Sequence, residues 1–338
     1  MRFFHKTLLV ITLLLLGHSV VKAEPFTPES GFWWNPDEPG SGYAIEIQDN
    51  FLFVALYVYD ELGNPIWYTA GASLTGQGGN SFFDTELNFS FNGTCIDCGF
   101  TEPTTIIGER GPITIDFLTE TTATIQFQGA IKNIERFNFI LGDEIESMLG
   151  EWQTIIDFSS IRTTFPYDGD ILIFNTISIS GGNKFATGCR PDNSIVGACS
   201  EFSLINHGVE ASYDFQNNEL IIVVDDTPNS WLVYYLVLGL DQFDGVAESF
   251  LKEVGNNNIY YPVRGFRTGS RTYIETGQGP SKNIENKEIV GIHSRLGFEL
   301  PKKEITSFSK EEQIKILRRQ TIVKTMINRL EKKKHQDR

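Results

Sequence analysis

The stretch Phe51-Leu-Phe-Val-Ala-Leu-Tyr-Val-Tyr59 decides the fold of the N-terminal half. Nine apolar or aromatic residues with no helical period, bounded by turn formers, read as a strand. Period two sends Leu52, Val54, Leu56 and Val58 to one face and Phe51, Phe53, Ala55, Tyr57 and Tyr59 to the other. The first face is aliphatic core. The second is an aromatic row whose two phenols want polar partners. Asp49-Asn50 before it suits a two-residue hairpin turn, and Asp60-Glu-Leu-Gly-Asn-Pro65 after it reverses the chain again. Tyr43–Gln48 and residues 66–72, which carry Trp67 and Tyr68, complete a three-stranded meander.

Upstream stands Gly31-Phe-Trp-Trp-Asn-Pro-Asp-Glu-Pro-Gly-Ser-Gly42, a short ordered start followed by a loop dense in turn formers. In a strand, one of the neighbours Trp33 and Trp34 must point away from the core. Downstream, residues 81–91, 113–117, 122–127 and 131–140 alternate as further strands, with the Cys95/Cys98 loop after the first. Residues 142–148 read as a linker. Gly150-Glu-Trp152 then repeats the glycine, one residue, tryptophan opening. Candidate strands follow at 151–158, 170–179, 201–206, 210–215, 219–225, 231–238 and 259–266. A run of strands with short connections predicts an all-β protein of two antiparallel sandwich or barrel-like units, over 24–142 and 143–275. One large two-sheet domain is the alternative. Beyond Thr276 the composition turns to Gly, Ser, Asn and Lys, a flexible linker. A helix closes the chain: Ser309 with Glu312 offers a capping box, and Ile316, Val323, Met326, Ile327 and Leu330 recur at helical spacing.

The formal charge of −15 is unevenly spread. Residues 301–338 carry twelve Lys and Arg against five Asp and Glu, so the tail is basic and the body strongly acidic. An acidic body repels phosphate, which excludes it as a nucleic-acid binder. Met1–Lys6, an apolar run from Thr7 to Leu16 and the small residue Ala23 form a signal peptide cleaved near Ala23, too short to span a bilayer. The expected destination is the periplasm or the exterior. In such an oxidising compartment Cys95/Cys98 and Cys189/Cys199 read as two local disulfides. A zinc site and a redox pair are the competing readings, disfavoured by the spacing of the second pair and the loop context of the first.

These residues together resemble a family of uncharacterised exported bacterial proteins. The shared features are Gly31 to Gly42 (Gly-Leu/Phe-Trp-Trp-Asn-Pro-x-Glu-x-Gly-x-Gly), Tyr59-Asp60, the Gly63-Asn-Pro65 turn, Trp67-Tyr68, and a second block from Gly111 to Phe139 that contains Ile134-Glu-Arg136-Phe137. The likeness is faint around Tyr261-Pro-Val-Arg264 and leaves out the tail. It implies export and a β-rich fold, and brings no catalytic residues.

No catalytic constellation stands out. Gly40-Ser41-Gly42 lacks the spacing of a nucleophile elbow, and a Ser-His-Asp triad would have to use His207. The acid pairs Asp37/Glu38, Asp168/Asp170, Asp225/Asp226 and Asp241/Asp244 are expected by chance in so acidic a chain, and no metal or cofactor is implied. What remains is aromatic. Trp33, Trp34, Asn35, Tyr57, Tyr59, Trp67 and Tyr68 are the candidate ligand-contacting residues, against the alternative that they are core. The expected function is therefore a non-enzymatic module that binds a carbohydrate, a peptide or an envelope component. The alternatives are a secreted hydrolase using Asp37 and Glu38, or a structural envelope protein. For the basic helix three readings stand: anionic lipid, the acidic body, or solvent.

Overall fold

The computed structural model describes residues 26–77, 80–139, 141–190, 208–256, 259–272 and 309–336. The expected signal peptide, Cys199, the candidate strand at 201–206, His207 and the expected linker before the helix lie outside the described residues. The chain divides into two compact units between Arg136 and Phe137.

The first unit comprises β1 (Gly31–Trp34), β2 (Gly42–Gln48), β3 (Phe51–Tyr59), β4 (Pro65–Ser73), β5 (Thr75–Gln77), β6 (Asn80–Phe91), β7 (Thr104–Phe117), β8 (Thr122–Phe127) and β9 (Ala130–Arg136). Every pairing is antiparallel between chain neighbours, apart from β1 with β9 and β4 with β6, which close the sheet. The result is an eight-stranded up-and-down barrel with β5 attached at the side. Its interior is filled by Trp33, Tyr43, Leu52, Val54, Leu56, Phe83, Ile113, Ile115, Phe117 and Ile125, all buried. Closure removes the exposed strand edges that an open sheet would present.

The second unit repeats the plan. Its strands are β10 (Gly150–Asp157), β11 (Tyr167–Ser180), β12 (Asn183–Cys189), β13 (Gly208–Asp214), β14 (Glu219–Thr227), β15 (Ser230–Leu238), β16 (Gln242–Leu251), β17 (Gly255–Asn256) and β18 (Tyr261–Ser270). Here β10 with β18 closes the barrel, and the two-residue β17 is the side attachment. Besides the two-residue β17, two of these strands, β12 and β16, are absent from the strands expected from sequence. Each carries a glycine and polar residues, and each is held by its neighbours: a Cβ on Gly188 or Gly245 would collide with the backbone of the adjacent strand.

Both barrels close with the same device. Gly31 and Gly150 adopt φ of +133° and +136°, values that L side chains rarely adopt. A Cβ on Gly31 would run into the Arg136 guanidinium, and one on Gly150 into the Gly269 carbonyl, 3.2 Å from Arg267 Nη1. Two residues on, Trp33 and Trp152 are fully buried and donate their indole N–H to the carbonyl four residues earlier, Glu29 at 3.1 Å and Met148 at 2.9 Å. Each tryptophan lies opposite an arginine of the last strand, Arg136 or Arg267. Arg136 donates to the Phe32 carbonyl, and Arg267 to those of Ser147, Leu149 and Leu240. The repeated sequence opening is thus the seam of each barrel, with Arg267 in the place of Arg136.

The C-terminal helix α1 (Lys310–Gln336) belongs to the second unit. Its capping box forms: the Ser309 N–H donates to Glu312 Oε2 at 2.8 Å, and the Glu312 N–H to Ser309 Oγ at 3.1 Å. Val323, Met326 and Leu330 are buried against Phe185, Ile221, Val223, Trp231, Val233, Tyr235 and Phe250 on the outer face of the barrel. This explains why β14 and β15 are apolar on both faces: one faces the interior and the other lies under α1. Cations border the apolar stripe. Arg318 holds Asp214 at 2.6 and 2.7 Å, Arg319 clamps Glu219 at 2.7 and 2.5 Å, Arg329 binds Glu210 at 2.6 Å, and Lys334 pairs with Asp225. Arg329 also lies over the Phe185 ring at 3.9 Å and Arg319 over Tyr235 at 4.4 Å. Among the described residues no helix is long and apolar enough to cross a membrane.

Candidate functional site

The outer face of β2, β3 and β4 in the first barrel carries an exposed aromatic row. Alternation along β3 turns Leu52, Val54 and Leu56 inward and Phe51, Phe53, Tyr57 and Tyr59 outward. On β4, Trp67 faces out while Tyr68 and Ala70 face in. Tyr57 and Trp67 are each 48% exposed and sit directly opposite one another; Tyr59 is 57% exposed. Phe32 joins the row from β1, stacked on Tyr57 with centroids 6.2 Å apart and planes 18° from parallel.

Two glycines let these rings lean onto the sheet. Gly42 lies opposite Tyr57 on β2, and a Cβ there would come within 2.6 Å of the Phe32 ring. Gly71 lies opposite Phe53 on β4, and a Cβ there would approach Phe51 to 3.1 Å. Half-exposed flat rings with no side chain beneath them form a platform of the kind on which planar or flat-faced groups stack.

The seven expected contact residues separate by orientation. Tyr57, Tyr59 and Trp67 lie in the row. Trp34 is on the outer side of β1 but half-buried. Trp33 and Tyr68 are core: the first packs edge-on against Phe117 at 5.4 Å, the second tilts against Phe89 at 5.8 Å. Strand parity points both into the barrel, where Trp33 is fully buried and Tyr68 also lines the cleft at the mouth. Asn35 is buried and organises its own loop, its Oδ1 accepting the Asp37 N–H at 3.0 Å and its carbonyl the Glu38 N–H at 3.1 Å. Phe32, Phe51 and Phe53 enter the row although sequence did not select them. The parity of β3 already marked Phe51 and Phe53; for Phe32 only the stacking on Tyr57 does so.

At its Tyr59 end the row meets the mouth of the barrel. There the loops after β1 and β3 and the turn after β8 surround a cleft of about 800 Å³. Val58, Ile66, Phe127 and Tyr68 supply apolar wall; Glu38, Ser41, Asp60, Glu61, Arg110, Gln128 and Lys132 supply polar groups. Glu38 and Lys132 form an ion pair across the opening. Asp60 is engaged in its own turn, accepting the Asn64 side-chain amide at 3.0 Å and the backbone N–H of Asn64 at 2.8 Å and of Leu62 at 2.9 Å, which together hold its carboxyl below the usual range. Tyr43 lies in the same cross-strand row as Leu56 and Tyr68. Its phenol is buried without a hydrogen-bond partner and is pushed up to about 12 by burial and the nearby Glu38 charge. Of the alternative catalytic pair, Glu38 lines the cleft and Asp37 does not.

Next to the mouth, β6 and β7 run on past the closed barrel, residues 88–91 pairing with 104–107. The tip of this arm is closed by the Cys95–Cys98 disulfide. Cys189, buried at the end of β12, is also disulfide-bonded. The remaining acid pairs each meet cations: Asp168 with Arg162 at 3.8 Å, Asp226 with Arg190 at 2.8 Å, Asp225 with Lys252 at 2.8 Å, Asp244 with Arg264 at 2.5 Å and Asp241 with Arg267 at 3.4 Å. Asp170 accepts from Tyr234 at 3.2 Å and lies 3.6 Å from Arg190.

Compared with protein-family models, with curated proteins and with solved structures, the chain matches none.

Proposed function

We propose that the protein is a non-enzymatic binding module, exported through its N-terminal signal, whose first barrel contacts its ligand through the aromatic row. The observation that carries this reading is the set of six aromatic side chains, Phe32, Phe51, Phe53, Tyr57, Tyr59 and Trp67, exposed together on adjacent strands. Isolated exposed apolar residues are ordinary, but a contiguous aromatic patch on an otherwise acidic surface is the usual mark of a contact surface. Aromatic rings also concentrate binding energy at interfaces, because they bury much area with few rotatable bonds.

The test is a binding survey of the mature protein against glycan, peptide and envelope-component panels, repeated with the double variant Tyr57→Ala/Trp67→Ala. A ligand bound by the parent and lost by the variant supports the reading. No binding across all three panels, or binding that the variant retains in full, overturns it. Turnover of a bound substrate that disappears in Glu38→Gln would instead favour a hydrolase.

A further inference from the structure

We infer that the cleft at the mouth of the first barrel is an end-binding subsite for a neutral carbohydrate chain, whose adjoining sugars lie along the aromatic row. The inference rests on the proposed function and adds to it the ligand class and the place where the chain ends.

Continuity is the first argument. Tyr59 is both the last ring of the row and a wall of the cleft. A ligand stacked on Trp67 and Tyr57 that continues in that direction therefore arrives at the mouth. Barrel mouths are common ligand sites, and about 800 Å³ lies within the ordinary range of small-molecule pockets.

The chemistry of the walls selects the class. Sugar rings offer apolar C–H faces and a rim of hydroxyls that both donate and accept. The row offers ring faces; the cleft offers acceptors in Glu38 and Glu61, donors in Lys132 and Arg110, and both in Gln128 and Ser41. The Glu38–Lys132 pair fixes one donor and one acceptor side by side before any ligand arrives. Preorganisation of this kind reduces the ordering cost of binding.

Charge excludes the nearest competitors. Glu38, Asp60 and Glu61 outnumber Lys132 and Arg110 in the cleft, and the chain as a whole carries −15. A phosphorylated or uronic-acid ligand would be repelled. An extended peptide gains most of its affinity by adding to a free sheet edge, and the sheet that bears the row is closed, β1 pairing with β9 and β4 meeting β6 at Thr69–Asn88. A neutral sugar needs neither a cation nor an edge.

The experiment uses the mature full chain and a glycan array, followed by titration calorimetry with the neutral oligosaccharides that bind, in a series of increasing length. Two cleft variants are compared with the row variant Tyr57→Ala/Trp67→Ala. Glu38→Gln removes the charge partner of Lys132. Ala130→Trp fills the mouth without touching the ion pair. Thermal unfolding confirms that each variant is folded. Both cleft variants are expected to weaken binding at least tenfold, and to weaken it as much for the shortest bound oligosaccharide as for the longest. The row variant should lose most on the longer chains. Blocking the terminal sugar by derivatising either end should remove the affinity for one end only. Unchanged affinity in both cleft variants, with loss in the row variant, overturns the subsite and leaves the binding module standing. Binding to no neutral glycan, or equal or tighter binding to acidic oligosaccharides, overturns the ligand class. If the row variant also binds like the parent, the proposed function falls with it.

Discussion

The two barrels share one frame and differ in what covers it. Both are eight-stranded meanders closed at a Gly-x-Trp seam by an arginine from the last strand. In the second, the apolar outer face of β14 and β15 lies under α1, and Arg190 pairs with Asp170 and Asp226 near one end. In the first, the outer face of β3 and β4 is bare aromatic surface, and one end opens into a cleft. Burial of an outward apolar face is favourable by about 25 cal/mol per Å², so a barrel that covers one gains stability and loses a contact surface. On the proposed function, recognition falls to the first barrel, whereas the second covers its apolar outer face with its own helix.

The comparison is tested most severely at the seam. Trp33→Ala and Trp152→Ala should each destabilise their own barrel by about 3–5 kcal/mol, as expected for a large buried aromatic, with urea denaturation as the readout. Equal, large losses in both would support the common frame. A Trp33→Ala protein with normal stability would show that Trp33 is not core.

Next is the helix interface. Glu210 is fully buried and its Oε2 has no hydrogen-bond partner, so its charge is offset by the Arg329 hydrogen bond, with Lys333 nearby. Arg329→Ala should lower stability by about 3 kcal/mol, the cost of leaving a buried charge unpaired. Adding Glu210→Gln should restore most of the loss. If Arg329→Ala leaves the urea midpoint unchanged, α1 does not hold that face.

A smaller effect concerns acid. Burial tends to raise the Asp214 carboxyl, but hydrogen bonds from Arg318 and Asn217 outweigh it and hold it below the usual value. A depressed carboxyl stabilises the fold above its unfolded value of ~3.9 and loses that contribution as pH falls through the folded value. Glu210 has the opposite sign: burial raises it against the pull of Arg329, so its protonation favours the folded state. Stability of the second unit should therefore fall below about pH 4, and Asp214→Asn should flatten that fall. Parallel pH profiles for parent and variant would discount the Arg318 contact.

The smallest stability effect is expected in the row itself. Tyr57→Ala or Trp67→Ala should cost less than about 1 kcal/mol, the scale of an exposed cross-strand pair, while ligand affinity drops tenfold or more. Losses as large as that of Trp33→Ala would make the row part of the fold, and the contrast between the barrels would fail.

Much of this architecture was legible in the chain. Alternation in Phe51–Tyr59 gave the inward and outward faces residue by residue, and the repeated Gly-x-Trp gave the two starts. Alternation did not say which of Trp33 and Trp34 pointed inward, because two adjacent tryptophans satisfy either parity. Trp33 is fixed inside by the positive φ of Gly31, the indole bond to Glu29 and the pairing with Arg136 across the seam. Strands β12 and β16 escaped detection because backbone pairing and tight glycine packing hold them, with little help from an apolar pattern.

Sequence alone determined the class of fold, the aromatic row and the capped basic helix, since each is written in local periodicity over a few turns or strand residues. Tertiary structure alone decided which apolar faces are covered. The outer sides of β3 and of β14 and β15 look alike as strings of apolar residues. One remains open and the other lies beneath a helix that begins more than seventy residues further along the chain, and local sequence cannot encode a covering that depends on a distant segment.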